Sequence, residues 1–354
     1  MKVGILTSGG DCPGLNAVIR GIGKSLFENI KNIELIGIAD GYGGLIRGEC
    51  HKMDKSDFTG ILTLGGTILG TSRQPFKLMT VEDENSVSRL DLMKQNYKKM
   101  GLDCLLTLGG AGTHKTAALL SAEGCNVIGL PKTIDNDIWG TDVTFGFHTA
   151  VDIATECIDR LHTTAASHGR TMVVEIMGNK AGWLTLYSGL AGGADVILLP
   201  EIPFSIDKVA KAIEKRADAG KAFSIVAVAE GAMTVEEAKM KKKERAEKRC
   251  GETTITNRLA REIAEKAKVE TRVVVPGHIQ RGGSPSAYDR VLSTEFGSFA
   301  GKLVKEGRFG VTVAMVKGEV TYNALADIAG KAKLVPKDCQ EVKTAESIGI
   351  RLGR

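Results

Sequence analysis

One stretch, residues 103–149, restricts the fold more than any other. The apolar run 104–108 has the length and flanks of a buried parallel strand. It breaks into Gly109-Gly110-Ala111-Gly112, and helical spacing follows from about Thr113 to Glu123. A second apolar run, 126–130, ends in Pro131-Lys132-Thr133-Ile134-Asp135-Asn136-Asp137. Both polar loops therefore leave the carboxyl ends of parallel strands, where open α/β sheets place their ligands. One loop is a glycine turn suited to phosphate; the other carries two acids and a lysine. That pairing points to phosphoryl transfer.

The same alternation runs through the rest of the chain. Residues 2–7 read as a strand, followed directly by Ser8-Gly9-Gly10-Asp11-Cys12-Pro13-Gly14 and a helix pattern from Leu15. A glycine-rich turn from strand to helix offers backbone N–H groups and the positive end of a helix to an anion. On its own such a turn serves tight packing as readily, and it is neither a Walker A loop nor the dinucleotide GxGxxG pattern. Another glycine-dense loop, 64–73, ends in Arg73, whose guanidinium can fork onto phosphate oxygens. Helices are expected over 87–100, 150–163, 235–248 and 256–266, strands over 33–38, 171–177, 194–199, 222–229 and 270–275, and a small-residue loop over 164–170. Strand, glycine turn and helix alternate throughout, which gives an α/β protein: two Rossmann-like lobes with mostly parallel sheets flanked by helices.

Composition removes several alternatives. A chain of 354 residues exceeds one small core. The net charge of +5 owes much to the run 239–245, which lacks the interleaved aromatics of a nucleic-acid platform. Seven scattered cysteines without CxxC spacing fit reduced thiols, not a disulfide frame or zinc site. No apolar run reaches the roughly 18 residues that span a membrane, and the amino terminus lacks a signal-peptide layout. The expectation is a cytoplasmic protein that binds neither nucleic acid nor membrane.

Taken together, LTSGGDCPGLNAVIRG (6–21), GGTILGTSR (65–73), LGGAGT (108–113), PKTIDND (131–137), SHGR (167–170), MGNKAGW (177–183), AGGAD (191–195), VAEG (228–231) and PGHIQRGGSP (276–285) resemble the 6-phosphofructokinase family, in that family's order. The lysine in PKTIDND and the extra helical segment 234–252 resemble the branch that mixes ATP-dependent and pyrophosphate-dependent members. The resemblance implies the phosphofructokinase fold and transfer of a phosphoryl group to the 1-hydroxyl of fructose 6-phosphate, a glycolytic step, with Mg2+ as cofactor. It implies a donor-phosphate lobe over 1–146 plus 280–330, a sugar-phosphate lobe over 147–279, and a carboxyl-terminal segment 331–354.

The resemblance also carries residue roles. Asp135 matches the general base, Asp137 the second acid near the metal, and Thr133 a residue touching the transferred phosphoryl. Lys132 is the lysine typical of pyrophosphate users, whereas Gly112 leaves room for the α-phosphate of ATP, and ATP is the expected donor. Gly10, Arg73, Gly110 and Thr113 match the other donor-phosphate contacts. Arg170, Met177, Gly178, Glu230, Arg272, His278 and Arg281 match the ligands of fructose 6-phosphate. In family members Arg170 and Arg272 reach across from a neighbouring subunit, so a homodimer or homotetramer is expected.

Two positions depart from the family pattern. Ala111 stands where an aspartate usually helps hold magnesium, and Asn179 where an arginine usually reaches the phosphoryl group in transit. His114, Lys115 or Lys180 are the candidates to compensate. The alternatives left by these losses are a slow enzyme or a non-catalytic paralogue that binds fructose phosphate, and Lys132 leaves a pyrophosphate-dependent enzyme as a further one.

Overall fold

Every residue of Cys104–Gly109 and of Val127–Pro131 is buried, as befits parallel strands covered by helices on both faces. The computed structural model describes all residues except 250–253, and the side chains of Lys242 and Lys248 also lie outside the description. In chain order the strands are β1 (Lys2–Ser8), β2 (Glu34–Ile38), β3 (Cys50–Met53), β4 (Cys104–Gly109), β5 (Val127–Pro131), β6 (Thr171–Ile176), β7 (Val196–Leu198), β8 (Ser224–Ala229), β9 (Thr271–Val274), β10 (Val311–Val316) and β11 (Glu319–Ala324). They divide between two units, Met1–Thr149 with Arg281–Lys333 and Ala150–Gln280 with Leu334–Arg354.

The sheet of the first unit runs β11-β10-β5-β4-β1-β2-β3. Its centre is parallel, and antiparallel strands β3 and β11 close the two edges. From β1 the chain moves towards β2, and from β4 it moves the other way towards β5. The crossovers therefore diverge between β1 and β4, which is the topological switch point where open sheets leave a crevice. Register brings three strand ends level there, Ser8 beside Gly109 and Gly109 beside Pro131. Leu6, Ile38, Tyr42, Leu45, Met93, Leu105 and Val127 pack into one apolar cluster that fixes these strands.

Two helices of this unit, Leu15–Asn29 and Ala287–Lys305, cross closely because both carry glycine at the contact. A Cβ on Gly297 would stand 2.5 Å from the Val18 carbonyl oxygen, and one on Gly21 2.9 Å from that of Thr294. The crossing places the segment just before the second helix, which contains Arg281, over the loop that follows β1. Asp289, in the first turn of that helix, is fully buried. Its carboxylate accepts from the backbone N–H groups of Gly146 (3.0 Å) and Thr149 (2.7 Å) and from the Thr149 hydroxyl (2.6 Å). These bonds cap the helix Phe147–His168.

The sheet of the second unit, β7-β8-β6-β9, is wholly parallel. Arg351 bridges Val196 at its β7 edge, so the carboxyl-terminal tail belongs to this unit's sheet. Val173, Val226, Val228, Leu259 and Ile263 form its core with the helices Ile206–Asp218 and Ile255–Ala267.

Two expectations need correction. The stretch 164–168 is not a loop: the helix Phe147–His168 continues through it, burying Ala165, and stops at Gly169 with φ 63°. Small residues are compatible with a helix, and the left-handed glycine is what ends it. The helix expected over 235–248 is two, Val235–Lys239 and Lys242–Lys248, because Met240 is extended; a capping box of Thr234 with Glu237 starts the first, and Lys241 N–H donates to the Glu244 carboxylate (2.9 Å) at the start of the second. The end of the extra segment, 250–252, and Cys250 lie outside the described residues. None of the described cysteines is in a disulfide, and no described helix is long and apolar enough to cross a membrane.

Candidate active site

The loop after β1 is fixed from three directions. Gly9 N–H donates to the Ser72 carbonyl (3.1 Å), and the Thr71 hydroxyl donates to the Gly9 carbonyl (2.7 Å). Buried Asn16 holds the neighbouring glycine loop, donating to the Leu64 and Gly65 carbonyls and accepting from Ile68 N–H (2.8 Å). The Lys132 ammonium, buried, donates to the Gly10 carbonyl.

Three cations meet at this turn. A Cβ on Gly10 would stand 2.8 Å from an Arg281 nitrogen and 3.5 Å from one of Arg73, so glycine is what allows the Arg281 guanidinium its close approach, while Arg73 lies at ordinary contact distance. Arg281 also donates to the Asp11 carbonyl (3.2 Å), while its Nε is buried without a hydrogen-bond partner. Burial pushes the Lys132 ammonium below its ordinary pKa, and Arg281 adds to that, with Asp11 and Asp135 opposing. Three positive groups gathered on one glycine turn form a site for a polyanion.

The next loop starts a helix earlier than its spacing suggests. The helix is Ala111–Ala122 with Gly110 as its N-cap, so Ala111 and Gly112 occupy its first turn and the free N–H groups there face outwards. No atom lies within 4 Å of where a Gly112 Cβ would be. Thr113 is buried, its hydroxyl donating to the Ser8 carbonyl (3.3 Å), and the Tyr42 hydroxyl donates to the Thr113 carbonyl (3.0 Å).

His114 does not replace a lost charge. Its Nδ1 lies 3.0 Å from the Gly110 carbonyl and its Nε2 2.9 Å from the Thr312 hydroxyl. A carbonyl only accepts, so Nδ1 carries the proton and Nε2 accepts. Burial pushes the imidazole down to about 4, which leaves it neutral at pH 7. Lys115 lies over the Phe76 ring, and Lys180 is exposed in the second unit.

The acid-bearing loop follows β5. Thr133 is buried; its hydroxyl accepts from Asp135 N–H (3.0 Å) and its carbonyl accepts from the Thr144 hydroxyl (2.7 Å). Asn136 turns the chain at φ 49°, a conformation asparagine tolerates, and its Oδ1 accepts from Thr144 N–H (3.1 Å). Asp135 and Asp137 flank it and are partly exposed. The first unit thus joins Gly10, Arg73, Gly110, Thr113, Lys132, Asp135 and Arg281 around one switch point.

In the second unit the residues matched to sugar phosphate fall at two ends of one sheet. Met177-Gly178, Glu230 and His278 follow the carboxyl ends of β6, β8 and β9. Met177 N–H donates to Gln280 Oε1 (3.0 Å), Gly231 N–H donates to the Gly178 carbonyl (3.2 Å), and Gly178 has φ 140°, which only glycine takes without strain. Arg170 precedes β6, and Arg272 lies at the start of β9, opposite Met172. Both are paired with Glu270, Arg170 at 3.1 Å. Six residues of strand separate the two groups by about 17–20 Å. Asn179 is exposed beside the carboxyl-end group.

Sequence reasoning passed over Asn16 and Asp289. Asn16 sits among apolar residues of an amphipathic helix, and a polar residue on a buried face is the available signal. Asp289 carries an N-cap signature, Ser286 followed by an acid three residues later, but its reach to Thr149 is not written in spacing.

The family model described as phosphofructokinase matches residues 2–304. The chain is 53% identical over 355 residues to the ATP-dependent 6-phosphofructokinase of Spirochaeta thermophila, covering 99% of this chain and 97% of the relative. It is 48% identical over 354 residues, and all of both chains, to ATP-dependent 6-phosphofructokinase 3 of Bacteroides thetaiotaomicron. Among solved structures, Pichia pastoris phosphofructokinase in the T-state superposes with a TM-score of 0.79 at 30% identity, covering 98% of this chain and 36% of the yeast one. With the family model spanning most of its length and full-length relatives near half identity, the chain belongs to the phosphofructokinase family.

Proposed function

We propose that the chain transfers the γ-phosphoryl group of ATP to the 1-hydroxyl of fructose 6-phosphate, giving fructose 1,6-bisphosphate. The observation that carries this reading is the meeting of Arg73, Lys132 and Arg281 at Gly10, beside the loop that presents Asp135. The first unit is then the donor lobe and the second the sugar-phosphate lobe. The names of the full-length relatives favour ATP, as does the open space at Gly112.

The reaction needs little covalent work from the protein. As the 1-hydroxyl oxygen bonds to the γ-phosphorus, its proton passes to the Asp135 carboxylate and the bond to the β,γ-bridging oxygen breaks, releasing ADP. Lys132 and Arg73 meet charge on the donor phosphates, the N–H groups at the start of Ala111–Ala122 add to them, and Arg281, matched to the sugar phosphate, stands beside them at Gly10. Thr133 fixes the turn that presents Asp135.

Magnesium fits as an ion carried on the donor. Mg2+ keeps several waters and takes one or two carboxylates with substrate phosphates, and Asp137 is the carboxylate that would hold it. No group of three or more His, Cys, Asp or Glu that could cage a metal occurs among the described residues, and Ala111 has no oxygen to offer. Bound on the phosphates, the ion neutralises charge developing in transfer.

Arg170 and Arg272 lie at the opposite strand ends from Glu230 and His278. One sheet of this kind does not turn both groups onto a single sugar phosphate, which supports a homo-oligomer, dimer or tetramer, whose copies exchange the two arginines.

Steady-state rates with ATP and with pyrophosphate test the donor. Turnover with ATP is expected to exceed that with pyrophosphate, and the reverse order overturns the donor choice. An Ala111→Asp variant is expected to raise kcat/KM for ATP about tenfold, on the order of 1.4 kcal/mol, because the acid would sit at a helix N-terminus and ligate the ion. An unchanged value would mean that the metal does not pass this position.

A further inference from the structure

The loop with both acids is held by chain from far downstream. Asp142 N–H donates to the Met315 carbonyl (2.7 Å), Met315 N–H to the Thr141 hydroxyl (2.9 Å), and the Asn323 amide to the Gly140 carbonyl (2.6 Å). These contacts come from the β10–β11 hairpin. A further clip comes from Lys333, beyond residue 304 where the family match ends. Its backbone N–H donates to the Asp137 carbonyl (2.9 Å), next to an antiparallel bridge between Ile138 and Ala332. Its ammonium donates to the Thr141 (2.9 Å) and Asp142 (2.8 Å) carbonyls. One residue thus binds the loop at both its start and its end.

We propose that Lys333 is a positioning residue, holding the loop from Asp135 to Asp142 in the shape that presents the two carboxylates. The proposal rests on the phosphoryl-transfer reading above. The physical ground is that Asn136, at positive φ between the acids, leaves their direction to the closure of the loop. That closure comes from Asn136 across it, with its amide 3.4 Å from the Asp142 carbonyl, and from Lys333 outside it. The ammonium adds bonds to the Thr141 and Asp142 carbonyls beside the Asn136 amide and the β10 contacts at that end of the turn. Without it, the hairpin anchors, the Asn136 bond and the backbone bond from residue 333 to Asp137 stay, but the side-chain link from residue 333 to residues 141 and 142 is lost.

The test compares Lys333→Met, which keeps the aliphatic stem, and Lys333→Arg, which keeps donors, in the full chain. Lys333→Met is expected to lower kcat at least tenfold, since small misplacements of reacting groups are costly. KM for fructose 6-phosphate and for ATP should move less than twofold, and the thermal midpoint should hold. Lys333→Arg is expected to recover part of kcat. Hydrogen exchange gives a readout independent of turnover: peptides covering 137–144 should exchange faster in Lys333→Met. A kcat within twofold of wild type overturns the proposal, as does a loss that tracks a lowered thermal midpoint. Absence of wild-type turnover with ATP counts against the function instead, and unchanged exchange over 137–144 then still overturns the clamp.

Discussion

Replacing Asp135 by Asn is expected to lower kcat by about 10²–10⁴-fold, the range for a positioned general base, with little change in KM for fructose 6-phosphate. Asparagine keeps the size of the side chain and the backbone bond from residue 135 to the Thr133 hydroxyl, so the loop should persist. What disappears is the group proposed to take the proton of the attacking hydroxyl. A tenfold loss is about 1.4 kcal/mol, so the expected effect is about 3–5 kcal/mol of the barrier. A kcat within tenfold of wild type would remove Asp135 from the role of base, leaving the loop as a binding element.

The second large effect is on stability. Glu237 is fully buried in the second unit, its carboxylate bound by Arg249 (3.0 and 2.9 Å), Arg258 (2.8 Å) and Thr234 N–H (3.0 Å). Burial alone would raise this carboxyl; the hydrogen bonds from Arg249, Thr234 and Arg258 outweigh it and hold the group at about 2, against an ordinary 4.5. Glu237→Ala leaves two guanidinium groups facing each other with no anion between them. The expected cost is about 3 kcal/mol, at the low end for a broken buried pair because Arg249 is partly exposed. The folded-state pKa is depressed, so the contribution is complete above about pH 4.5 and is lost as pH falls towards 2. Urea unfolding at pH 7 and near pH 3 measures both. A loss below about 1 kcal/mol at pH 7, or one that does not shrink at low pH, contradicts this account of the cluster.

The parts of the fold that sequence made legible are those fixed by local chemistry. Cys104–Gly109 and Val127–Pro131 are apolar but for Thr107 and end in glycine or proline, so both the strands and their loops are legible to within a residue. The helix after Gly110 begins two residues before its spacing suggests, because alanine and glycine give no start signal; its N-cap makes no side-chain bond. The helix stop at Gly169 is not distinguishable from a loop by spacing because small residues precede it. Less legible were the groups that act across the chain. Thr149 and Asp289 are separated by 140 positions, and Thr141 and Lys333 by 192. Neither pair follows from periodicity, and only the packing of strands and helices brings them together. His114 shows the converse limit: its type suggested a cation at the donor loop, and burial against Thr312 makes it a neutral hydrogen-bonding group.

The proposed reaction moves phosphate from ATP to a sugar phosphate through Asp135. The direct measurement incubates purified chain with magnesium, γ-labelled ATP and fructose 6-phosphate and follows the label. Label in fructose 1,6-bisphosphate with wild-type protein, reduced at least a hundredfold with Asp135→Asn, is the predicted result. Label that stays in ATP, or appears only as free phosphate, would contradict it.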